Sequence, residues 1–152
     1  LSKTVISNPA HRGSFRNTGV RVGNDYITVY IGPPPEIAKN VAEALFVDIG
    51  ILLAREMSIS EVFYYASMIH LVFAKIHPFV DGNGRSARLL EKWFLYKKLG
   101  DRVWFIQSER LYQTRLKSYY KNLNIGVDYS SNNFELSIPF LLMLPMAFTN
   151  KL

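Results

Sequence analysis

The chain holds 152 residues, 49% of them hydrophobic and 20% charged, enough for one domain that buries about 68–70% of its unfolded surface and too few for a second full domain. That balance excludes a disordered chain, and the absence of cysteine excludes disulfides, thiolate metal sites and a cysteine nucleophile and permits a reducing compartment; a cytoplasmic location is expected, with a secreted effector as the alternative. The formal charge of +6 gathers at the front, where residues 1–24 carry Lys3, Arg12, Arg16 and Arg21 with no acid against 14 bases and 12 acids in the remainder; a solvated basic segment is expected, and a nucleic-acid surface is not.

The opening Leu1-Ser2-Lys3-Thr4 has neither a methionine nor a signal-peptide core, so a fragment or a processed chain is expected. Val20-Arg21-Val22 and Tyr26 to Ile31 are β-branched or aromatic runs around Gly23-Asn24-Asp25, the composition of a small hairpin. Gly32-Pro33-Pro34-Pro35 then closes the β region. Ile37, Val41, Leu45, Ile49 and Leu52 recur at helical spacing and predict a helix over 36–55, entered through Pro35. Ser58 and Glu61 form a capping box for a second helix ending near Ile76, with Val62, Ala66, Ile69, Phe73 and Ile76 inward. A third helix is predicted from Asn83 to Gly100, burying Leu89, Leu90, Trp93, Phe94 and Leu99. A fourth, capped by Ser108, carries Tyr112, Leu116, Tyr119 and Leu123 on one face and ends before Gly126. A last helix starts at Pro139 and kinks at Pro145. The longest apolar run, Ile138 to Phe148, falls short of the roughly 18 residues that cross a bilayer, so no membrane span is expected.

Chemistry concentrates between the second and third helices, in His77-Pro78-Phe79-Val80-Asp81-Gly82-Asn83-Gly84-Arg85-Ser86-Ala87-Arg88. A helix N-terminus presents unpaired N–H groups and the positive end of its dipole, which favour phosphate. Gly82 and Gly84 allow close backbone approach to an anion, and Arg85 and Arg88 lie three apart on the first turns. Two cations at a positive helix end oppose the dipole, a conflict that a bound polyphosphate reverses. Asp81 is the one carboxylate here, a hard ligand of the kind magnesium takes beside phosphate oxygens and water. His77 is the one side chain that takes a proton near neutral pH. Taken singly, each has an ordinary structural reading; His70 and His11 keep theirs, as hydrogen-bonding residues.

The segment resembles the Fic family signature, His-Pro-Phe-x-Asp/Glu-Gly-Asn-Gly-Arg-x-x-Arg, at every specified position. Gly13-Ser14-Phe15-Arg16 ahead of the hairpin, the proline-rich lead-in to the first helix, and Tyr119-Tyr120-x-x-Leu123 are similar to Fic features as well. The resemblance implies one mainly α Fic-type helical bundle over 1–152. It would comprise an N-terminal segment and β-hairpin flap at 13–31, a helical core at 36–128 and a C-terminal helix at 137–149. It further implies an adenylyltransferase that moves AMP from ATP to a Ser, Thr or Tyr hydroxyl of a target protein. His77 would be the base and Asp81 the Mg²⁺ ligand. Gly82, Asn83, Gly84, Arg85 and Arg88 would hold the phosphates, Tyr119 and Tyr120 would lie near the adenine, and Thr28, Val29 and Tyr30 would pair with the target. The intact Gly82-Asn83-Gly84-Arg85 favours adenylylation over transfer of another phosphate-containing group; a silent nucleotide-binding module is the non-enzymatic alternative. Many relatives are restrained by a helix bearing Ser/Thr-x-x-x-Glu-Gly/Asn. Ser131 to Glu135 departs from that pattern at Leu136, so Glu135 is expected in an ordinary loop, and any inhibitory helix before Leu1 or on a partner.

Overall fold

The computed structural model describes residues 13–23 and 28–149, and it is a mainly α bundle with a two-stranded hairpin. Strands β1 (Arg21–Gly23) and β2 (Thr28–Ile31) pair antiparallel, with Val22 opposite Tyr30 and an irregularity after Val22. Tyr26 and Ile27, expected in the second strand, lie outside the described residues. The base of β2 is held on its other edge, where the Ile31 N–H donates to the Val127 carbonyl (2.9 Å) and the Ile31 carbonyl accepts the Tyr129 N–H (3.1 Å).

Helix α1 (Pro35–Ala54) begins with proline in its first turn, where no N–H is needed. Its buried residues are Ala38, Ala42, Leu45 and Ile49. Ile37, expected inward, is exposed, because the small alanines one position on are what let neighbouring backbones approach. Helix α2 (Ile59–Ile76) opens with the expected capping box, in which the Ser58 N–H donates to Glu61 Oε2 (2.8 Å) and the Glu61 N–H to Ser58 Oγ (3.4 Å). The whole predicted stripe is buried, and so are Ser67, His70, Leu71 and Lys75. Among the described residues α2 is the one helix long and apolar enough to cross a membrane by length and composition. Glu61 and Lys75 interrupt its apolar run in the sequence. It stands at the centre of the bundle, packed on α1 and α3 (Asn83–Leu99).

Helix α3 ends as predicted at Gly100, whose φ of 61° suits glycine. Its buried face corrects the sequence reading: Leu89 and Trp93 are exposed, while Ala87, Glu91, Phe94 and Leu95 are buried. An apolar count cannot see a stripe whose middle member is a carboxylate. A 3₁₀ turn (Gly100–Phe105) follows. The single helix expected over 108–123 is two, α4 (Ser108–Thr114) and α5 (Leu116–Leu123), parted at Arg115, and Leu116 is exposed. No Gly or Pro marks this break. The Thr114 hydroxyl donates to the Arg110 (2.9 Å) and Leu111 (3.1 Å) carbonyls, a back-bond that competes with the helical ladder and bends it.

The C-terminal segment forms a 3₁₀ turn (Phe134–Ser137), α6 (Ile138–Leu141) and α7 (Met143–Thr149). The break falls at Leu142 rather than at Pro145, because the proline ring has no N–H for the Leu141 carbonyl and crowds it one turn back. Glu135, expected in a loop, sits exposed in the 3₁₀ turn, its N–H bonded to Asn133 Oδ1.

Candidate active site

Residue His77 caps the C-terminus of α2 in the left-handed conformation (φ 49°, ψ 58°), the one non-glycine residue at positive φ among those described. Bonds from several directions hold it there. Its N–H donates to the Phe73 carbonyl (3.1 Å), its Nδ1 lies 3.3 Å from the Ala74 carbonyl, and its own carbonyl accepts Arg16 Nε (2.7 Å). Donation from Nδ1–H to Ala74 leaves the lone pair of the neutral ring on Nε2. Burial holds the imidazole pKa below its usual value, with the Ala74 bond opposing and the Arg16 charge assisting. The ring is therefore a neutral base at pH 7.

Arg16, expected in a solvated basic segment, is buried. Its guanidinium also donates to the carbonyls of Thr18 (2.8 Å) and Pro33 (2.5 Å), and its N–H to Pro78 (2.9 Å). One cation thus ties the N-terminal segment and the exit of β2 to the histidine turn. Phe79 adds an apolar anchor, its ring 5.9 Å from both Phe15 and Phe73. Phe79 belongs to the motif itself and Phe15-Arg16 to the stretch that resembles the family; their anchoring roles follow from these contacts.

The loop closes through Asn83, which is 3% exposed. Its Oδ1 accepts the Phe79 N–H (2.9 Å) and its Nδ2 donates to the Phe79 carbonyl (2.8 Å). The side chain expected near phosphate oxygens is thus committed to shaping the loop. Gly82 takes φ 83° at the N-cap of α3, which L-residues with a Cβ seldom adopt. No side chain caps this helix, in contrast to α2, and the N–H groups of Asn83, Gly84 and Arg85 meet no acceptor among the described residues. Arg88 lies against Gly84, where a Cβ would stand 3.3 Å from Nη1. Arg85 turns back to Asp81 (Nη2 to Oδ2, 3.0 Å), and the Gly82 N–H donates to Asp81 Oδ1. Both partners are solvent-exposed, so the pair is worth at most about 1 kcal/mol and opens readily to a ligand.

The other expected residues fall elsewhere. Tyr119 is 2% exposed and offers no open face to an adenine; its hydroxyl meets buried His70 (2.9 Å), which is the structural hydrogen-bonding residue anticipated. Tyr120 is exposed. On the hairpin, the Gly32 N–H donates to the Val20 carbonyl just ahead of β1 (3.1 Å), so the alternation of a strand sends the backbone groups of Tyr30 to that side as well, while Thr28 pairs with Gly23 across the irregularity. Ile31 faces the outer edge, and Val29 is the residue that the register irregularity leaves without a partner in β1. The Tyr30 ring is a core anchor, its hydroxyl donating to the Lys75 carbonyl (2.6 Å) while Lys75 Nζ sits 3.7 Å from the ring centroid. Burial pushes the Tyr30 phenol up to about 12 and Lys75 down to about 8.

A half-buried base beside an uncapped, arginine-flanked helix end is an anion site with a proton acceptor at its rim. The Fic/DOC family profile matches residues 2–95, and the chain belongs to that family. Over 84 residues it is 34% identical to a protein adenylyltransferase Fic of Nematostella vectensis, covering 55% of this chain and 18% of that protein. Over 89 residues it is 35% identical to a protein adenylyltransferase Fic of Culex quinquefasciatus, covering 59% and 16%. The chain therefore spans less than a fifth of these relatives' length. The crystal structure of a Fic family protein from Desulfovibrio desulfuricans G20 matches 98% of this chain and 44% of its own, with a TM-score of 0.63 and 21% identity, a likeness of fold.

Proposed function

We propose that this chain is a protein adenylyltransferase, transferring AMP from ATP to a Ser, Thr or Tyr hydroxyl of a target protein and releasing pyrophosphate. The observation that carries the reading is the uncapped N-terminus of α3 in the same loop as His77, whose Nε2 holds a free lone pair. The hydroxyl oxygen forms a bond to the α-phosphorus, the bond from that phosphorus to the bridging oxygen of the leaving pyrophosphate breaks, and the hydroxyl proton passes to His77 Nε2. The N–H groups of Asn83, Gly84 and Arg85 bind phosphate oxygens, and Arg85 and Arg88 neutralise charge on the outer phosphates. Among the described residues no cluster of three or more His, Cys, Asp or Glu side chains could hold a metal ion by itself. Asp81 alone fits Mg²⁺, which accepts one protein carboxylate and completes its shell with phosphate oxygens and water. Bound there, Mg²⁺ would neutralise phosphate charge. Asp81 leaves Arg85 to take that role.

Incubation with Mg²⁺, cell lysate and ATP labelled separately at the α and γ positions tests the reading. Protein label from the α position alone supports it. Label from γ alone means phosphorylation, and label from neither position overturns the assignment. A second result is expected from Asp81→Ala: Mg²⁺-dependent ATP affinity falls about tenfold or more, while Mg²⁺-free binding changes little because the freed Arg85 still meets phosphate. Titration calorimetry with and without EDTA reads the difference, and equal losses in both would remove the metal role.

The target protein docks by adding a strand to the outer edge of β2. Val29 has no partner in β1, so Val29→Pro removes an N–H from β2 and spares the paired residues of the ladder; target modification should fall several-fold with ATP binding unchanged. Thr28→Pro strikes the inner ladder and should disrupt the hairpin itself. Unaltered modification by the Val29 variant would move the docking surface elsewhere.

A further inference from the structure

Lys75 sits in the last turn of α2, two residues ahead of His77, and only 4% of it is exposed. Among the described residues no carboxylate pairs with this cation. Burial lowers its pKa to about 8, so the ammonium still prevails at pH 7. A buried charge without a counter-ion is costly, and a methionine of similar reach would fill the same space. The transfer reaction gives this lysine no direct part, so its charge calls for a use elsewhere.

Its contacts converge on the hairpin. Nζ lies 3.7 Å from the centroid of the Tyr30 ring, a cation on an aromatic face, while the Lys75 carbonyl accepts the Tyr30 hydroxyl (2.6 Å). One residue thus holds the ring with its side chain and the hydroxyl with its backbone. Nζ also donates to the Gly126 carbonyl (3.3 Å). The carbonyl of the next residue, Val127, accepts the Ile31 N–H (2.9 Å), and the Tyr129 N–H donates to the Ile31 carbonyl (3.1 Å), so β2 is bracketed between Lys75 and a loop that Lys75 anchors. Asn132 of the same loop donates to the Tyr30 hydroxyl (3.5 Å). The loop is itself closed by the Asn133 N–H on the Ile125 carbonyl (2.8 Å) and the Ser131 N–H on Asp128 Oδ1 (2.8 Å).

A two-stranded hairpin is marginal by itself, and an irregularity interrupts this one's ladder. Its place relative to the cradle is therefore set by anchors outside it. Arg16 ties the exit of β2 at Pro33 to the His77 carbonyl, and Lys75 ties the strand itself to the helix that ends at the base. We propose that Lys75 is a positioning residue for the target hydroxyl: by clamping Tyr30 to the last turn of α2, it joins the strand that receives the target and the histidine that takes its proton into one rigid unit. The inference rests on the adenylyltransferase reading and on docking along β2. An attacking oxygen misplaced by about 1 Å can cost roughly 10²-fold in rate, so an anchor this close to the base bears on the chemistry without touching it.

The test uses Lys75→Met, which keeps the apolar stem and removes the ammonium, and Tyr30→Phe, which keeps the ring and removes only the hydroxyl. The rate at which α-labelled ATP labels lysate protein should fall about tenfold in Lys75→Met and about threefold in Tyr30→Phe, while ATP affinity and the number of ATP sites per chain stay at parent values. In a Tyr30→Leu background Lys75→Met should cause no further loss, because the ring it clamps is gone. On the free protein, amide exchange at Tyr30, Ile31 and Gly32 should quicken several-fold in Lys75→Met, with the core amides of Phe94 and Leu95 unchanged. A lysine that merely supports the core would lower labelling and the count of ATP sites in the same proportion and would quicken exchange at Phe94 and Leu95 too. That result, a full further loss in the Tyr30→Leu background, or unaltered exchange at Ile31 would overturn the proposal. A parent chain that labels no protein from α-labelled ATP would instead sink the adenylyltransferase reading, and the exchange rates would then decide the hold on Tyr30 by themselves.

Discussion

Replacing His77 by alanine should abolish transfer while ATP binding persists, a loss of about 10²–10⁴-fold in kcat, the usual consequence of removing a positioned base. Quantifying α-labelled target after single turnovers gives the number, and calorimetry checks the nucleotide. Full transfer by the variant would remove the histidine from the mechanism. The pH profile supplies a second readout. Because burial lowers the pKa of His77, the acid limb of kcat/KM should lie below pH 6.5, the ordinary histidine value. The sign for stability follows from the same shift. An imidazole that binds protons less readily when folded contributes stability that is full above the unfolded value near 6.5 and declines as pH falls toward the folded value. The parent should thus lose stability over that window faster than His77→Ala does.

Asn83→Ala should be the costliest change in the motif for the fold. Its amide satisfies both the N–H and the carbonyl of Phe79, and truncation leaves those backbone groups without their partner at a residue anchored between Phe15 and Phe73. Two lost bonds to half-buried groups amount to about 2–3 kcal/mol. Urea unfolding should show the loss as a lower midpoint with an unchanged slope. Transfer should fall as well, because the loop from His77 to Gly82 loses the clamp that aligns it with α3. Asn83→Asp offers a finer comparison: it keeps the acceptor for the Phe79 N–H but sets a carboxylate against the Phe79 carbonyl, so it should rescue little. Stability within 0.5 kcal/mol of the parent for Asn83→Ala would mean that the clamp is redundant, a threshold typical of neutral surface changes.

Much of this molecule is legible in one dimension, because the signals are local. A capping box, a proline in a first turn and a glycine after a last turn act within a few residues, and they place α1, α2 and α3 within a residue or two of where they lie. The motif is equally local. His77, Asp81, Gly82 and the two arginines need only one turn and the start of one helix to come together, so residue types at fixed spacing already imply an anion cradle beside a base.

Tertiary structure decided what depends on partners distant in sequence. Arg16 reads as a surface cation until the carbonyls of Pro33 and His77 surround it, and nothing in the apolar pattern marks Glu91, which His70 and Tyr112 meet in the core. Apolar periodicity places Leu89 and Trp93 inside. The fold reverses them, because burial follows what a neighbouring helix can satisfy rather than side-chain polarity alone. The break at Arg115 and the unpaired position of Val29 in the hairpin belong to the same class. A hydroxyl back-bond and a strand register are set by three-dimensional pairing, and that pairing determines which of the motif's neighbours touch the chemistry and which hold it in place.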